Sequence, residues 1–273
     1  MSLAVRLFGG VARAVPRSWA DRVGAFLGWG WYRLVPIRRR VARQNLEQAF
    51  PELDVKARER IVAGMYRHLG LCLVELLRFG ARDPGQLAAS LHVEGRAHLE
   101  AALAEGRGVL VLTAHLGNWE VLVRAGTLCG APLSVVTKSM RSPVAQAAWR
   151  ALRRGGPELL PDRDSARRIV AALKRNEVVG YVLDQHAPRG LRVPFFGRPA
   201  QTHDALARLA KATGAVVLPV FTWRSPEGHR VRIETPVALG ADPTESTRRY
   251  VARVEAAIRA RPEQWLWIHR RWK

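Results

Sequence analysis

The sequence predicts an α/β fold, with a mixed, mostly parallel sheet flanked by helices and a helical, membrane-associating segment at the N-terminus. From about Leu91 onward, short β-branched and aliphatic runs alternate with amphipathic stretches, which is typical of helices packed on a largely buried sheet. Before that point the periodicity is helical. We therefore expect a helical segment over residues 1–92 that packs on the core, and an α/β core over residues 93–273.

The helical segment contains two amphipathic helices with identifiable boundaries. The first ends at Pro51, because proline cannot continue a helix, and Asp54 is placed to cap the second. Glu75 interrupts the apolar stripe of the second helix, and a carboxylate at such a position predicts a partly buried ion pair with an arginine. The stripe consists of Ile61, Met65, Leu69, Cys72, Leu73 and Leu76.

In the core, six strands and six helices follow from the periodicity. The predicted strands span 108–113, 133–137, 158–160, 178–183, 215–222 and 230–234. The predicted helices span 96–105, the stretch after His115, 143–154, 165–175 opened by Asp164, 203–213 and 245–260. Residues 191–199 are predicted to be a loop.

The charge of the chain demands an anionic partner. The formal net charge is +21, and 39 of the 44 basic residues are arginines, whose planar fork suits phosphate and carboxylate groups. Nucleic acid is one class of partner with this charge, but the arginines are spread along the chain and no helix-turn-helix, zinc-finger or RNA-recognition motif is present. An anionic membrane or an acidic protein is favoured instead. Cys72 and Cys129 both lie in apolar helical runs, as expected of core thiols in a reducing compartment.

Residues 23–32 are the candidate for membrane contact. This apolar stretch carries aromatic residues at one end and is followed by the arginines Arg33, Arg38, Arg39, Arg40 and Arg43. That combination is typical of an interfacial helix on an anionic leaflet, and the alternative is an ordinary core helix with a basic flank. No run reaches the ~18 apolar residues needed to span a bilayer, and no cleavable signal peptide is expected.

His115 and Glu120 form the candidate catalytic pair. His115 follows the apolar run 109–112, and Glu120 opens the amphipathic stretch that comes next, so a strand, a tight turn and the first turn of a helix are predicted. A histidine there can accept a proton from a hydroxyl, while a carboxylate on its other ring nitrogen fixes the tautomer and stabilises the imidazolium. Since no obvious serine or cysteine nucleophile lies beside the pair, the hydroxyl is expected to belong to the substrate.

Asp184 also follows a predicted strand. Sites of open α/β sheets lie outside the carboxyl ends of the strands, so Asp184 and His115 are expected in one cleft. Asn118 is expected to cap the helix that carries Glu120. As an alternative, Asp184, Gln185, His186 and His203 could hold a metal ion in a hydrolase, although their spacing matches no metalloenzyme motif.

The aromatic stretch VPFFG at 193–197 leaves two interpretations open. It is either a turn that packs its rings on the core or a wall of an acyl-chain groove, because a fatty chain needs a long apolar surface.

Several motifs occur together in the order of a known family. They are RQNL at 43–46, FPE at 50–52, the stretch 70–75, HLGNWE at 115–120, Asp184-Gln185, VPFFGRPA at 193–200 with Thr202, and the ending PEQWLWIHRRWK at 262–273. On these motifs, the chain from about Trp29 to Lys273 resembles the bacterial lipid A late acyltransferases, the lauroyl and myristoyl acyltransferases of the lysophospholipid acyltransferase superfamily.

The resemblance implies an O-acyltransferase in which His115 is the general base and Glu120 its orienting carboxylate. It implies a fatty acyl thioester on acyl carrier protein as donor, and a hydroxyl of a phosphorylated, acylated glucosamine lipid as acceptor, at the cytoplasmic face of the inner membrane. No metal or organic cofactor is implied. Substrate-binding roles are implied for Asn118, Asp184, Gln185 and one of the arginines Arg150, Arg153 and Arg154, taken as Arg154.

Two features separate this chain from other members of the superfamily. Glu94-Gly95-Arg96 lies before the histidine motif, whereas the glycerol-phosphate branch has its Glu-Gly-x-Arg phosphate motif after it, so that role is not transferred. The short apolar helix favours peripheral attachment over a spanning helix. The same architecture also serves mannoside acyltransferases of phosphatidylinositol lipids, and an acyltransferase for such a lipid that uses acyl-CoA is the alternative within the enzyme class.

Overall fold

A computed structural model of the protein describes residues 16–35, 37–79, 91–126, 130–137, 142, 146–147, 157–161 and 165–273. Several features singled out in the sequence lie outside these residues, namely Cys129, Arg150, Arg153, Arg154, Asp164 and most of the helix predicted over 143–154.

Three helices form the described N-terminal part: α1 (Arg17–Arg33), α2 (Arg39–Ala49) and α3 (Val55–Phe79). α2 ends just before Pro51, and Asp54 caps α3, because its Oδ1 accepts the backbone N–H of Ala57 at 2.6 Å. Both boundaries agree with the sequence prediction. None of the helices in the described part of the chain is both long and apolar enough to cross a bilayer.

α1 and α3 pack against each other through glycines. A Cβ atom at Gly28 would lie 2.4 Å from the carbonyl oxygen of Tyr66, and one at Gly70 would lie 2.1 Å from that of Gly24. The two helix backbones therefore touch where no side chain intervenes, and this contact determines which face of α1 is left exposed.

Nine strands and five further helices make up the rest of the described chain. The strands are β1 (Leu91–Glu94), β2 (Val109–Thr113), β3 (Leu133–Thr137), β4 (Glu158–Pro161), β5 (Val178–Val182), β6 (Leu191–Phe195), β7 (Arg198–Thr202), β8 (Val216–Ser225) and β9 (Gly228–Ile233). The helices are α4 (Arg96–Ala104), α5 (Trp119–Ala125), α6 (Ser165–Lys174), α7 (Ala205–Thr213) and α8 (Pro243–Ala260), and a 3-10 turn follows at Pro262–Gln264.

Seven of the strands form one mixed, mostly parallel sheet in the order β1-β9-β8-β2-β5-β3-β4. The five strands from β8 to β4 run parallel, whereas β9 is antiparallel to β8 and parallel to β1. Helices flank this sheet, so the predicted α/β fold class is confirmed. The division at residues 92 and 93 stays a prediction, and β1 extends across it.

The central strand β2 is buried on both faces. Leu110 and Leu112 belong to the larger hydrophobic cluster, which also takes residues from α2, α3, α6, α7 and α8. Val109 and Val111 point to the smaller cluster beside α4. A strand covered on both sides is a continuous apolar run, which explains why the periodicity identified it.

The predicted loop over 191–199 is wrong, because β6 and β7 pair there as a separate antiparallel hairpin. Phe196 and Gly197 form its turn with φ values of 53° and 70°, the left-handed conformation that two-residue hairpin turns require. Pro194 and Pro199 argue against a strand in the sequence, yet they lie opposite each other here. A two-stranded hairpin has two edges, and proline is tolerated on an edge.

Candidate active site

The register of two central strands brings His115 and Asp184 together. β2 and β5 are parallel neighbours, with Thr113 opposite Val182. His115 and Asp184 each follow two residues later, so they lie side by side beyond the carboxyl edge of the sheet. His115 Nδ1 and Asp184 Oδ1 are 2.9 Å apart, which is hydrogen-bonding distance.

Asp184 is a buried carboxylate with three donors. Besides the imidazole, the backbone N–H of His115 donates to Oδ2 at 2.8 Å and the indole N–H of Trp265 donates to Oδ2 at 2.6 Å. Burial alone would raise the pKa of Asp184, but the charge and hydrogen bond of His115 and the two other donors outweigh it and lower the pKa to about 2. Asp184 is therefore ionised at neutral pH.

The ionised Asp184 determines the tautomer of His115. Since the carboxylate can only accept, Nδ1 carries the proton and Nε2 keeps its lone pair. Burial by itself would lower the pKa of His115, but the charge and hydrogen bond of Asp184, with the charge of Glu120, outweigh it and raise the pKa. The His115 side chain is 22% exposed and that of Asp184 is 2% exposed, so the imidazole can be reached from outside while its carboxylate cannot.

The sequence predicts Glu120 as the carboxylate that orients His115, and that role stays a prediction. Glu120 lies buried in the first turn of α5, and its charge helps to raise the pKa of His115, so it is within electrostatic reach of the ring. The partner on Nδ1, however, is Asp184. The spacing of His115 and Glu120 identifies residues that are close in the sequence. Asp184 follows the neighbouring strand β5, and periodicity does not show which strands are neighbours.

The substrate-binding roles of Asn118 and Asp184 stay predictions, and both side chains are almost fully buried. The side chain of Asn118 accepts the backbone N–H of Glu120 at 3.2 Å, so it caps α5 as predicted, and its amide donates to Glu75 Oε2 at 2.7 Å. Gln185 differs from both. Its amide nitrogen lies 3.4 and 3.5 Å from the two ring nitrogens of His115 in an exposed contact, so it borders the open side of the imidazole.

A buried polar cluster supports the loop from behind. Glu75 Oε1 lies 2.5 Å from Arg224 Nη2 and 3.1 Å from His229 Nε2, and Arg224 also donates to Asp21 of α1 at 2.8 Å. Burial would raise the pKa of Glu75, but the contacts with His229, Arg224 and Asn118 outweigh it and lower the pKa. The predicted pairing of Glu75 with an arginine is thereby confirmed.

We expect Glu75→Ala to lower the free energy of unfolding by about 3–5 kcal/mol, because the buried Asn118 amide loses its acceptor and the largely buried Arg224 guanidinium keeps only the half-exposed Asp21. Urea denaturation followed by circular dichroism measures the change. Glu47→Ala, which removes an exposed carboxylate of α2, is the matched control and should change stability by less than ~0.5 kcal/mol. Equal stability of the two variants would show that the cluster contributes nothing.

The C-terminal segment completes the site, and the sequence assigns it no such role. Leu116 pairs with Trp265 in an isolated bridge, Gly117 donates to the Gln264 carbonyl at 2.9 Å, and Leu266 donates to the His115 carbonyl at 3.2 Å. The loop that carries His115 is thus held by residues about 150 positions later in the chain. The tryptophans of the C-terminal motif are the sequence feature that indicates such a contact, because large aromatic side chains are usually buried against the rest of the protein.

The aromatic stretch at 193–197 packs on the core. Phe195 and Phe196 are buried, and the ring centroids of Phe195 and Trp265 lie 5.8 Å apart. This favours the first of the two interpretations, a turn with core aromatics. Among the residues that the structure describes, no three His, Cys, Asp or Glu side chains form a group that could hold a metal ion, so Asp184, His186 and His203 do not gather into such a set.

The chain is similar to known acyltransferases. A family model described as bacterial lipid A biosynthesis acyltransferase matches residues 2–273. The chain is 28% identical to a lipid A biosynthesis palmitoleoyltransferase of Escherichia coli, over 94% of this chain and 92% of that protein. It is also 28% identical to a lipid A biosynthesis lauroyltransferase of the same organism, over 92% of this chain and 84% of that protein. A phosphatidylinositol mannoside acyltransferase of Mycolicibacterium smegmatis is 28% identical over 72% of this chain and 67% of that protein.

Proposed function

We propose that this chain, which belongs to the bacterial lipid A biosynthesis acyltransferase family, moves a fatty acyl group from an acyl-carrier-protein thioester to a hydroxyl of a lipid A precursor. Membership makes it an O-acyltransferase of the lipid A type. The observation that carries the proposed mechanism is the hydrogen bond between His115 Nδ1 and the buried Asp184, because it leaves Nε2 as a basic nitrogen on an accessible ring.

In the proposed reaction, His115 Nε2 takes the proton of the acceptor hydroxyl as its oxygen attacks the thioester carbonyl carbon. The resulting imidazolium is stabilised by Asp184, which stays ionised, and by the charge of Glu120. When the tetrahedral intermediate collapses, the C–S bond breaks and the leaving thiolate takes the proton back from Nε2. The products are an ester and a thiol, and His115 returns to its starting tautomer.

Gln185 is the residue that we assign to the substrate on the open side of His115. The nitrogen of its carboxamide lies within 3.5 Å of both ring nitrogens of His115, and the side chain is exposed. The backbone amides of His115 and Gly117 donate to Asp184 and to Gln264, so neither is available to a substrate oxygen. We therefore assign the donor for the developing oxyanion to the Gln185 side chain rather than to either of these two amides.

The acyl donor and the acceptor are tested by mass spectrometry of lipids from cells with and without the protein, followed by transfer assays with acyl carrier protein and CoA thioesters. We expect the loss of one secondary acyl chain from lipid A, and faster transfer from the carrier-protein thioester. Unchanged lipid A together with a change in another glycolipid would refute the proposed acceptor. The similarity to the phosphatidylinositol mannoside acyltransferase makes such a glycolipid, with acyl-CoA as donor, the second candidate.

We also propose that α1 binds the anionic surface of the inner membrane. The face of α1 opposite α3 exposes Phe26 at 66%, Trp19 at 57% and Trp29 at 50%, and exposed apolar residues continue through Leu34, Val35 and Ile37. Trp31 and Tyr32, which the sequence places in the same contact, pack against the core instead. An exposed aromatic face beside arginines is suited to the boundary between headgroups and acyl chains.

We expect the double variant Phe26→Ser/Trp29→Ser to bind vesicles of anionic phospholipid at least ~10-fold more weakly, because it removes two large apolar side chains from the contact. Co-sedimentation measures the affinity, and binding of the unaltered protein should weaken as ionic strength rises. Leu239→Ser is the matched control, since Leu239 is an exposed apolar residue far from α1 in the sequence. Equal losses in both variants, or binding that salt does not change, would contradict this membrane contact.

A further inference from the structure

Helix α2 and the C-terminal segment line an open cavity of about 290 Å³ that the proposed reaction does not use. Its lining residues are Arg40, Val41, Gln44, Asn45 and Gln48 of α2 together with Arg270 and Trp272 of the C-terminal segment. Both parts overlap motifs that the family resemblance rests on, RQNL at 43–46 and the ending at 262–273. None of the candidate catalytic residues lines it.

The cavity has a fixed frame. The buried amide of Asn45 donates to the carbonyls of Trp267 at 2.7 Å and His269 at 2.6 Å, which ties α2 to the C-terminal segment. On the other side, the ring of Trp272 packs 5.6 Å from that of Phe195 in the hairpin. A ligand would therefore meet a preformed wall, which limits the entropy cost of binding.

Two guanidinium groups in the cavity are available to a ligand. Arg40 and Arg270 are exposed, and within the described part of the chain neither forms an ion pair. The neighbouring arginines differ, because Arg43 is paired with Glu59 and Arg39 donates to the Tyr32 carbonyl. The described lining residues include no carboxylate, so the positive charge of the cavity is not compensated there.

These groups define the chemistry of the ligand. Two guanidinium groups and the Gln44 amide in one cavity suit an anion that accepts several hydrogen bonds, and phosphate is the common one in such sites. A volume of about 290 Å³ lies at the lower end of small-ligand sites, which span roughly 300–1,000 Å³, so it fits a headgroup rather than a whole lipid.

The cavity and the catalytic loop share one short stretch of chain. Leu266 donates to the carbonyl of His115, and Arg270 follows four residues later. Four residues span at most ~14 Å when fully extended, so the Cα atoms of Leu266 and Arg270 lie within that distance. The segment that holds the His115 loop therefore also supplies part of the cavity lining.

We propose that this cavity binds a phosphate ester on the sugar headgroup of the acceptor lipid while an acceptor hydroxyl lies at His115. This inference rests on the proposed function, since it assigns a phosphate subsite to the acceptor of that reaction. Arg40 and Arg270 hold the phosphate oxygens, and Gln44 adds an amide donor. Discrimination between phosphorylated and dephosphorylated acceptors then originates in the cavity.

The test compares kcat/KM for a phosphorylated glucosamine lipid acceptor and for its dephosphorylated form, both presented in neutral phosphatidylcholine vesicles with the same acyl donor. The unaltered protein is expected to prefer the phosphorylated acceptor by roughly 10- to 100-fold, the effect of one or two charge-assisted hydrogen bonds. In the double variant Arg40→Gln/Arg270→Gln this preference should fall to near unity. Both arginines are exposed, so the variant is expected to fold, which circular dichroism verifies.

The matched control is Arg60→Gln/Arg248→Gln, which removes two exposed arginines of α3 and α8 and the same net charge. This control should retain the preference, because it leaves the arginines of the cavity in place. Both variants lose the same positive charge, so any weaker general attraction of an anionic lipid would be equal in the two. A preference that survives in Arg40→Gln/Arg270→Gln overturns the inference, as does its equal loss in the control. If the unaltered protein acylates neither lipid, the proposed function has failed instead.

A competition assay distinguishes a headgroup site from a site for free phosphate. Glucosamine phosphate without acyl chains should inhibit the unaltered protein and lose that effect in Arg40→Gln/Arg270→Gln. Inorganic phosphate at matched ionic strength should inhibit more weakly. Stronger inhibition by inorganic phosphate than by the sugar phosphate would overturn the assignment to a headgroup.

Discussion

Replacing His115 with alanine is expected to lower kcat for acyl transfer at least ~100-fold, since the acceptor hydroxyl then has no base to take its proton. The protein should still fold, because the side chain is partly exposed and the strands on either side are held by their own pairing. Transfer of a radiolabelled acyl chain measures the rate, and the melting temperature verifies the fold. His203→Ala removes an exposed histidine and is the matched control, with kcat expected within about twofold of the unaltered protein.

The pH dependence of the same reaction provides a second measurement on His115. The reactive form is the neutral imidazole, and Asp184 raises its pKa above the usual range. The rate should therefore be high above this raised pKa and fall as the pH is lowered through it. A rate that is unaffected by pH across this range, or near-normal turnover in His115→Ala, would exclude His115 as the base.

Asp184→Asn is expected to have the second large effect, a loss of roughly 10²- to 10⁴-fold in kcat. An amide cannot neutralise the imidazolium, and it can donate to Nδ1 and so stabilise the wrong tautomer. The bend in the pH–rate profile should move to lower pH, because the charge that raises the pKa of His115 is gone. A purely structural loss would lower the rate without moving the bend, so the profile separates the two explanations.

Glu120→Gln is the comparison that decides between the two carboxylates. Its charge also raises the pKa of His115, but it does not hold Nδ1, so we expect a smaller loss of kcat and a smaller shift of the bend than in Asp184→Asn. If Glu120→Gln lowers kcat more than Asp184→Asn does, Glu120 is the orienting carboxylate and Asp184 supports the loop. Both substitutions keep the side-chain volume, which makes their rates comparable.

The fold could be predicted largely because its signals are local. The parallel strands β2, β5 and β8 are buried, so each is a continuous apolar run between amphipathic helices. The hairpin β6–β7 could not be predicted, since two prolines conceal its strands and its stability comes from packing on distant tryptophans. The strand β1 is four residues long and has no buried residue, so its pattern is too short for periodicity to detect.

The sequence predicts where the candidate site lies, but not which carboxylate pairs with His115. His115 and Asp184 could be located because each follows an apolar strand, and strand ends of a parallel sheet meet at one edge. That Asp184 rather than Glu120 holds Nδ1 depends on β2 and β5 being neighbours, a strand order that no local pattern encodes. Trp265 donates to Asp184 from 81 positions away, and such a contact follows from tertiary structure alone.

The dependence of Asp184 and the His115 loop on Trp265, Gln264 and Leu266 sets an order of events during synthesis. A nascent chain already contains β2 and β5, the strands that position His115 and Asp184, long before these residues leave the ribosome. Until they do, Asp184 lacks its indole donor and the loop lacks two backbone hydrogen bonds. Activity should therefore appear only when residues 264–266 dock on the His115 loop, by which time the face of α1 that we propose binds a membrane has already been synthesised.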